Sequence, residues 1–251
     1  MRIQAPPFAL LACLFPLVAC AGLPAQVEIF DRSDGRMLPV HWHDGERYIA
    51  GEPGHEYEIR IRNRTGGRLL AVTSVDGVNV ISGRTAATEQ GGYVIGPRDA
   101  VNIDGWRKSL DEVAAFYFTP LPDSYAARTG RPDDVGVIGV ALFREKPRVY
   151  ATPRLESRPE GAADEAAPER ADGGGARAAA PMSERLGTGH GTRLDSQARY
   201  TSFERASVRP AALIRIYYDS HARLVAQGVI PPPHYAQHRP DPFPGGFVPD
   251  P

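Results

Sequence analysis

The sequence predicts a mainly β protein: a single antiparallel β-sandwich-like domain with a short C-terminal helix and a long disordered insertion. Three observations carry this. Between Val27 and Phe143 the apolar residues come in short runs, the clearest alternating with period two, spaced by about 8–12 residues and separated by turn residues. No helical interval of about 10–15 residues divides the runs, which argues against a doubly wound α/β fold. The structured stretch after residue 184 holds too few elements for a core of its own, so it must complete the first sheet system.

The elements follow in order. "VEIF" (Val27–Phe30), "LPVHW" (Leu38–Trp42) and "RYIA" (Arg47–Ala50) are weak strand candidates. "EYEIRIRN" (Glu56–Asn63) is the clearest strand, with Tyr57, Ile59 and Ile61 on one face and Glu58, Arg60 and Arg62 on the other. "NRTGG" turns the chain into "LLAVTSV" (Leu69–Val75). Asp76-Gly77 then predicts a type I′ hairpin, because this dipeptide accepts positive φ angles, with "VNVI" (Val78–Ile81) as the return strand. "GGYVI" (Gly91–Ile95), "AVNI" (Ala100–Ile103), "VAAFYFT" (Val113–Thr119) and "GVIGVALF" (Gly136–Phe143) continue the pattern and complete the main part of the sandwich, 27–150.

Residues 151–183 are Ala, Pro, Gly and mixed charge with hardly any large apolar side chains. Such a segment buries too little surface to offset its ordering entropy, and it reads as a disordered linker. The domain resumes over 184–230. "ERLGTGHGTR" (Glu184–Arg193) resembles a phosphate loop through Gly187, Gly189 and Gly191. It lacks G-x-G-x-x-G, G-K-[ST] and a following helix, so it reads as the point where the chain rejoins the sandwich, with His190 exposed or capping. "ARYTSFERA" (Ala198–Ala206) and "ALIRIYYDS" (Ala212–Ser220) are strand candidates. "SHARLVAQG" (Ser220–Gly228) reads as a short helix capped by Asp219 or Ser220, with Leu224 and Val225 inward and Gly228 as its stop. Residues 231–251 form a Pro-rich tail.

Residues 1–20 read as an export signal: Arg2, then the apolar "FALLACLFPLVA" (Phe8–Ala19), then small residues. Two cleavage readings stay open. "LVAC" has the form of a lipobox that makes Cys20 the lipid attachment residue; "ACA" fits ordinary signal peptidase. The lipobox, followed by Ala21 and Gly22 rather than Asp, points to an outer-membrane lipoprotein, ahead of a soluble periplasmic or secreted protein. A lipid holds the chain on a membrane without spanning it, and no later stretch has the length of a transmembrane helix. The two cysteines of the chain, Cys13 and Cys20, both belong to this region, which excludes disulfides, thiol nucleophiles and Cys-based metal sites from the body. A formal net charge of −1 gives no electrostatic case for nucleic acid.

"SVDGVNVISG", "GGYVIGP", "DGWRKSLDEVAAFYF", "DSYAARTGRPDDVGVIGVALFRE" and "RYTSFERAS…IRIYYDS" together resemble a family of exported proteobacterial proteins with no assigned activity. The resemblance spans both sides of the linker. It implies export and a shared fold, and it brings no catalytic residue or cofactor.

Several candidate sites stand out. "HWHDG" puts His41 and His43 on one face of a strand, about 7 Å apart by strand rise, a pairing that suits zinc, copper or nickel with Asp44 or His55 as third ligand. The alternative is that both histidines are the wet face opposite Trp42. Trp106 and Arg107 in "DGWRKS" are candidates for stacking on a sugar or anchoring a partner, with burial at the sandwich edge the favoured alternative. Tyr125, Arg128 and Arg131 are residue types enriched at interfaces, on what otherwise reads as an ordinary long connection. No G-x-S-x-G, H-E-x-x-H or EF-hand loop occurs. The expected function is therefore a non-enzymatic envelope module binding a protein or a glycan, with no cofactor. The alternatives are an envelope enzyme, such as a metal-assisted hydrolase using the His41/His43 pair, and a structural subunit of a surface assembly.

Overall fold

The computed structural model describes residues 22–147 and 185–232. Cys20, the linker 151–183 and the tail beyond residue 232 lie outside the described residues.

The fold is mainly β, with two sheets packed face to face. The first contains β1 (Ala25–Asp31), β2 (Arg36–Met37), β5 (Glu56–Asn63), β9 (Ala100–Ile103), β10 (Gly105–Arg107), β11 (Glu112–Pro120), β13 (Leu186–Thr188) and β14 (Arg193–Asp195). The second contains β3 (His41–His43), β4 (Glu46–Gly51), β6 (Leu69–Val75), β7 (Val78–Asn79), β8 (Tyr93–Ile95), β12 (Val137–Arg144) and β15 (Ala212–Ser220), with path β3-β4-β15-β12-β6-β7. Two short helices, α1 (Tyr125–Arg128) and α2 (His221–Ala226), follow β11 and β15. All pairs are antiparallel except β15 with β4, which run parallel. Residues after the insertion thus occupy the middle of the second sheet, between β4 and β12, and β13 and β14 extend the first.

The core forms where the inward residues of both sheets meet. Tyr57, Ile59 and Ile61 of β5 and Phe116 and Phe118 of β11 face Ile138, Val140 and Leu142 of β12 and Ile214 and Ile216 of β15. Tyr57 stacks between Phe116 and Phe118, with ring centroids 5.3 and 4.4 Å away. Burying each such aliphatic or aromatic side chain contributes about 1.5–3 kcal/mol.

Register defines two ends. At the N-terminal end lie the start of β1, the end of β5, the end of β12 and the start of β15; at the far end lie Asp31, Glu56, Val75, Val137 and Ser220.

The expected hairpin is present: Asp76 and Gly77 take φ of 51° and 69°, as a type I′ turn requires. Asp44 and Gly45 (φ 49° and 79°) make the same turn between β3 and β4. The return strand is shorter than expected. Asn79 Oδ1 accepts from the N–H groups of Ile81 and Ser82 at 2.9 and 3.0 Å, which curls the chain out of the sheet after Asn79. Ser220 caps α2, its Oγ accepting from Arg223 N, and Leu224 is buried as expected. The segment 198–206 was expected to be a strand but crosses the second sheet as a strap, with one bridge, Arg205 to Glu145. Its Tyr200 is exposed and Phe203 packs inward, so it lacks a continuous apolar face to pair along. The glycine-rich stretch, read from sequence as the point where the chain rejoins the sandwich, contains β13, paired with β11. Just past β13, a Cβ on Gly189 would fall 2.1 Å from the Tyr117 ring, so glycine lets that ring lie against the chain here.

Candidate functional site

The outer face of the second sheet carries the main groove. Its floor comes from alternation: residues flanking the core-facing positions point outward, giving Ser74 on β6, Gly139 on β12, Tyr48 on β4, and Leu213, Arg215 and Tyr217 on β15. The two sides of this face are covered. On one, Phe203 packs on Leu70, Val72, Ala141 and Phe143. Arg205 lies 4.1 Å over the Phe143 ring and donates to Thr88 O and Gln90 O at 2.9 and 2.7 Å. On the other, Leu224 of α2, Val229 and Ile230 pack with Tyr48 and Ala50. Between these covers the sheet stays open, as a groove of about 550 Å³ bounded by α2 and by residues 133–136. A shallower hollow of about 170 Å³ adjoins it past Gly139 and Ser74.

The groove's chemistry is aromatic and charged. Tyr48 and Tyr217 stack with centroids 5.4 Å apart. Burial, with Tyr217, Glu46 and Asp44 nearby, pushes the Tyr48 phenol above its usual range, so it stays neutral. Arg215 is exposed and joins no hydrogen bond or ion pair among the described residues. Arg185 Nη2 donates to Val135 O at 2.8 Å, and Arg223 Nε donates to Asp219 Oδ2 at 2.8 Å. Asp133 and Asp134 are exposed on the rim.

Beneath the groove runs a sealed polar chain. Tyr218 OH donates to Asp76 Oδ1 at 2.6 Å, and Thr188 Oγ1 bridges Tyr218 OH (2.7 Å) to Tyr57 OH (2.6 Å). Asp76 also accepts from Gly136 N at 2.9 Å and Thr188 N at 2.7 Å. Burial raises the Asp76 carboxyl to about 6 despite these donors, and the Tyr57 and Tyr218 phenols are pushed well above their ordinary value, first by burial. Each polar atom has a partner and the residues are closed to solvent, so this chain pins the sheets together and holds no ligand.

The sequence candidates fall elsewhere. His41 and His43 are half-buried on edge strand β3, flanking exposed Trp42, over which Arg47 lies at 4.8 Å. His43 Nε2 is 3.5 Å from Asp44 Oδ2, but His55 does not join them. His55 Nδ1 sits 2.9 Å from Asp31 Oδ2 and 3.9 Å from Asp34 Oδ1, the one grouping of three metal-type side chains among the described residues. Asp31 Oδ1 already caps the N–H groups of Ser33 and Asp34, and the hydrogen bond to Asp31 raises the His55 pKa, so the trio reads as an ion pair closing a turn. Trp106 is core rather than surface: 4% exposed, it donates to Gly189 O at 3.0 Å and packs on Phe116 and Tyr125. Tyr125 is half-buried between Trp106 and His190. Arg107 bonds Tyr93 OH and Ser196, and Arg131 bonds Gly83 O at 3.1 Å. Of these five, Arg128 alone is exposed. Sequence reading missed Arg215, Tyr217 and Tyr48. The signal lay in the outward positions of "LIRIYY", where an arginine and a tyrosine alternate with core residues. No protein-family model, curated protein or solved structure matches this chain.

Proposed function

We propose that this protein is an exported, non-enzymatic binding module of the cell envelope, held there by a lipid on Cys20, and that it takes a carboxylate-bearing glycan in the groove of the second sheet. The observation that carries this is the stacked Tyr48–Tyr217 pair beside Arg215, whose guanidinium has no partner among the described residues. Flat aromatic faces suit the apolar face of a sugar ring, and a guanidinium forks onto a carboxylate. The small floor residues Ser74 and Gly139 leave room for the ring to approach the sheet. Export follows from the apolar leader and from the resemblance to exported proteins; the lipid follows from "LVAC".

The test is calorimetric titration of the mature chain with oligogalacturonate and with a neutral cello-oligosaccharide. Saturable binding of the acidic sugar, weakened about tenfold by Arg215→Ala, supports the reading. Absence of binding to the acidic sugar, or equal binding of both sugars untouched by Arg215→Ala, overturns it.

A further inference from the structure

Charge is distributed unevenly between the two ends of the sandwich. The N-terminal end carries Arg62 and Arg64 at the close of β5, Arg98 in the turn before β9 and Arg144 at the close of β12. All four are exposed, and none joins an ion pair among the described residues; Arg64 reaches only the Gln26 amide. Asp99, Glu145 and Glu204 lie at the same end. Glu145 is matched by Arg68 at 3.1 Å and Glu204 by Lys146 at 2.5 Å, while Asp99 Oδ1 accepts from Ala100 N at 2.8 Å. The far end is more acidic: Glu52, Asp123, Asp133 and Asp134 are exposed there, Asp34 is paired with Arg36 at 3.0 Å, and Arg128 and Arg185 are exposed cations at the same end.

The basic end is also where the chain enters the fold. Pro24 O accepts from Arg64 N at 2.9 Å, and Ala25 pairs with Asn63. Only Ala21 separates Cys20 from Gly22, the first described residue, so a lipid on Cys20 would hold this end against the bilayer.

From this we infer that the N-terminal end of the sandwich seats on anionic lipid headgroups through Arg62, Arg64, Arg98 and Arg144. Each arginine near such a surface is attracted to it, and several together convert a loose tether into a fixed orientation. The acidic far end is repelled and turns outward. The inference leans on the Cys20 reading for its location, but the arginine end is testable without it.

The mature chain from Gly22 carries every described residue and no acyl group, so it isolates the arginine contribution. Its partition is measured by co-flotation with vesicles of phosphatidylethanolamine and phosphatidylglycerol (7:3) and with phosphatidylcholine vesicles, at low and high salt. The expected result is preference for the anionic vesicles, lost at high salt and reduced at least about tenfold in Arg62→Glu/Arg64→Glu/Arg98→Glu. The far-end variant Arg36→Glu/Arg128→Glu retains it. Should the triple variant unfold, the exposed single change Arg64→Gln gives a smaller loss of the same sign. Equal partition to both vesicles, or an equal loss in the far-end variant, overturns the inference. Mass spectrometry of the N-terminus judges the Cys20 reading separately, and sugar titration judges the groove.

Discussion

The two faces of β15 use the same nine residues in opposite ways. Inward, Ile214, Ile216 and Tyr218 enter the core, and the one polar group, the Tyr218 hydroxyl, is consumed by Asp76 and Thr188. Outward, Leu213, Arg215 and Tyr217 line a groove, and the Arg215 guanidinium is bonded to nothing in the described protein. Leaving a buried polar atom unpaired costs about 1–3 kcal/mol, so such atoms are satisfied within the fold, with Thr73 Oγ1 the exception among the described residues. An exposed one bears no such cost, so its hydrogen-bonding capacity is available to a ligand. The contrast separates polar groups that build the domain from those that let it act.

Substitution tests this contrast. The largest effect belongs to Asp76→Ala, which strips the acceptor from Tyr218 OH, Gly136 N and Thr188 N together. A loss of about 3–5 kcal/mol in urea unfolding is expected. An effect under about 1 kcal/mol would break the contrast from the inside.

The second effect depends on pH. Asp76 titrates near 6 in the fold, above the ordinary aspartate value near 3.8. Between those values the native chain holds a proton that the unfolded chain has released. The carboxylate therefore costs stability at neutral pH, about 3 kcal/mol, and this cost fades as pH falls from about 6 toward 4. Unfolding measured at pH 7 and 4.5 should show the wild-type protein gaining on Asp76→Asn at the lower pH, since the amide has no proton to take up.

Thr188→Val interrupts the chain between Tyr57 and Tyr218 while keeping the volume, and should cost about 1–2 kcal/mol by the same unfolding measurement. The smallest stability change is expected for Arg215→Ala, within about 0.5 kcal/mol, alongside its loss of sugar binding. If Arg215→Ala lowered stability as much as Thr188→Val does, the outer face would be structural and the contrast would fail.

Much of the fold was legible because alternation reports burial directly. "EYEIRIRN" and "ALIRIYYDS" are strands to the residue, and Asp76-Gly77 is the turn its dipeptide implies. What alternation could not show is pairing at long range. Leu186–Thr188 becomes a strand because β11 offers an edge and its glycines permit close approach, and neither fact is local. "HWHDG" illustrates the opposite error: its Asp44-Gly45 is a hairpin turn of the same kind as Asp76-Gly77, and that signal was readable beside the histidines. The groove escaped because its residues come from β4, β6, β12 and β15, the 133–136 loop, the helix α2 and the re-entry point, and together they form no motif in sequence.

The place of β15 between β4 and β12 has a kinetic consequence. Until residue 220 has been made, the second sheet is split, with two open edges and no Tyr218 to close over Asp76. The Tyr57–Thr188 bond likewise joins residues 131 positions apart in the chain. Contacts of such long range must close large loops before they return any energy, so folding is slow and late. A nascent chain halted before β15 would present the unpaired edges of β4 and β12 to any neighbouring strand, so aggregation at that stage is the hazard this topology predicts.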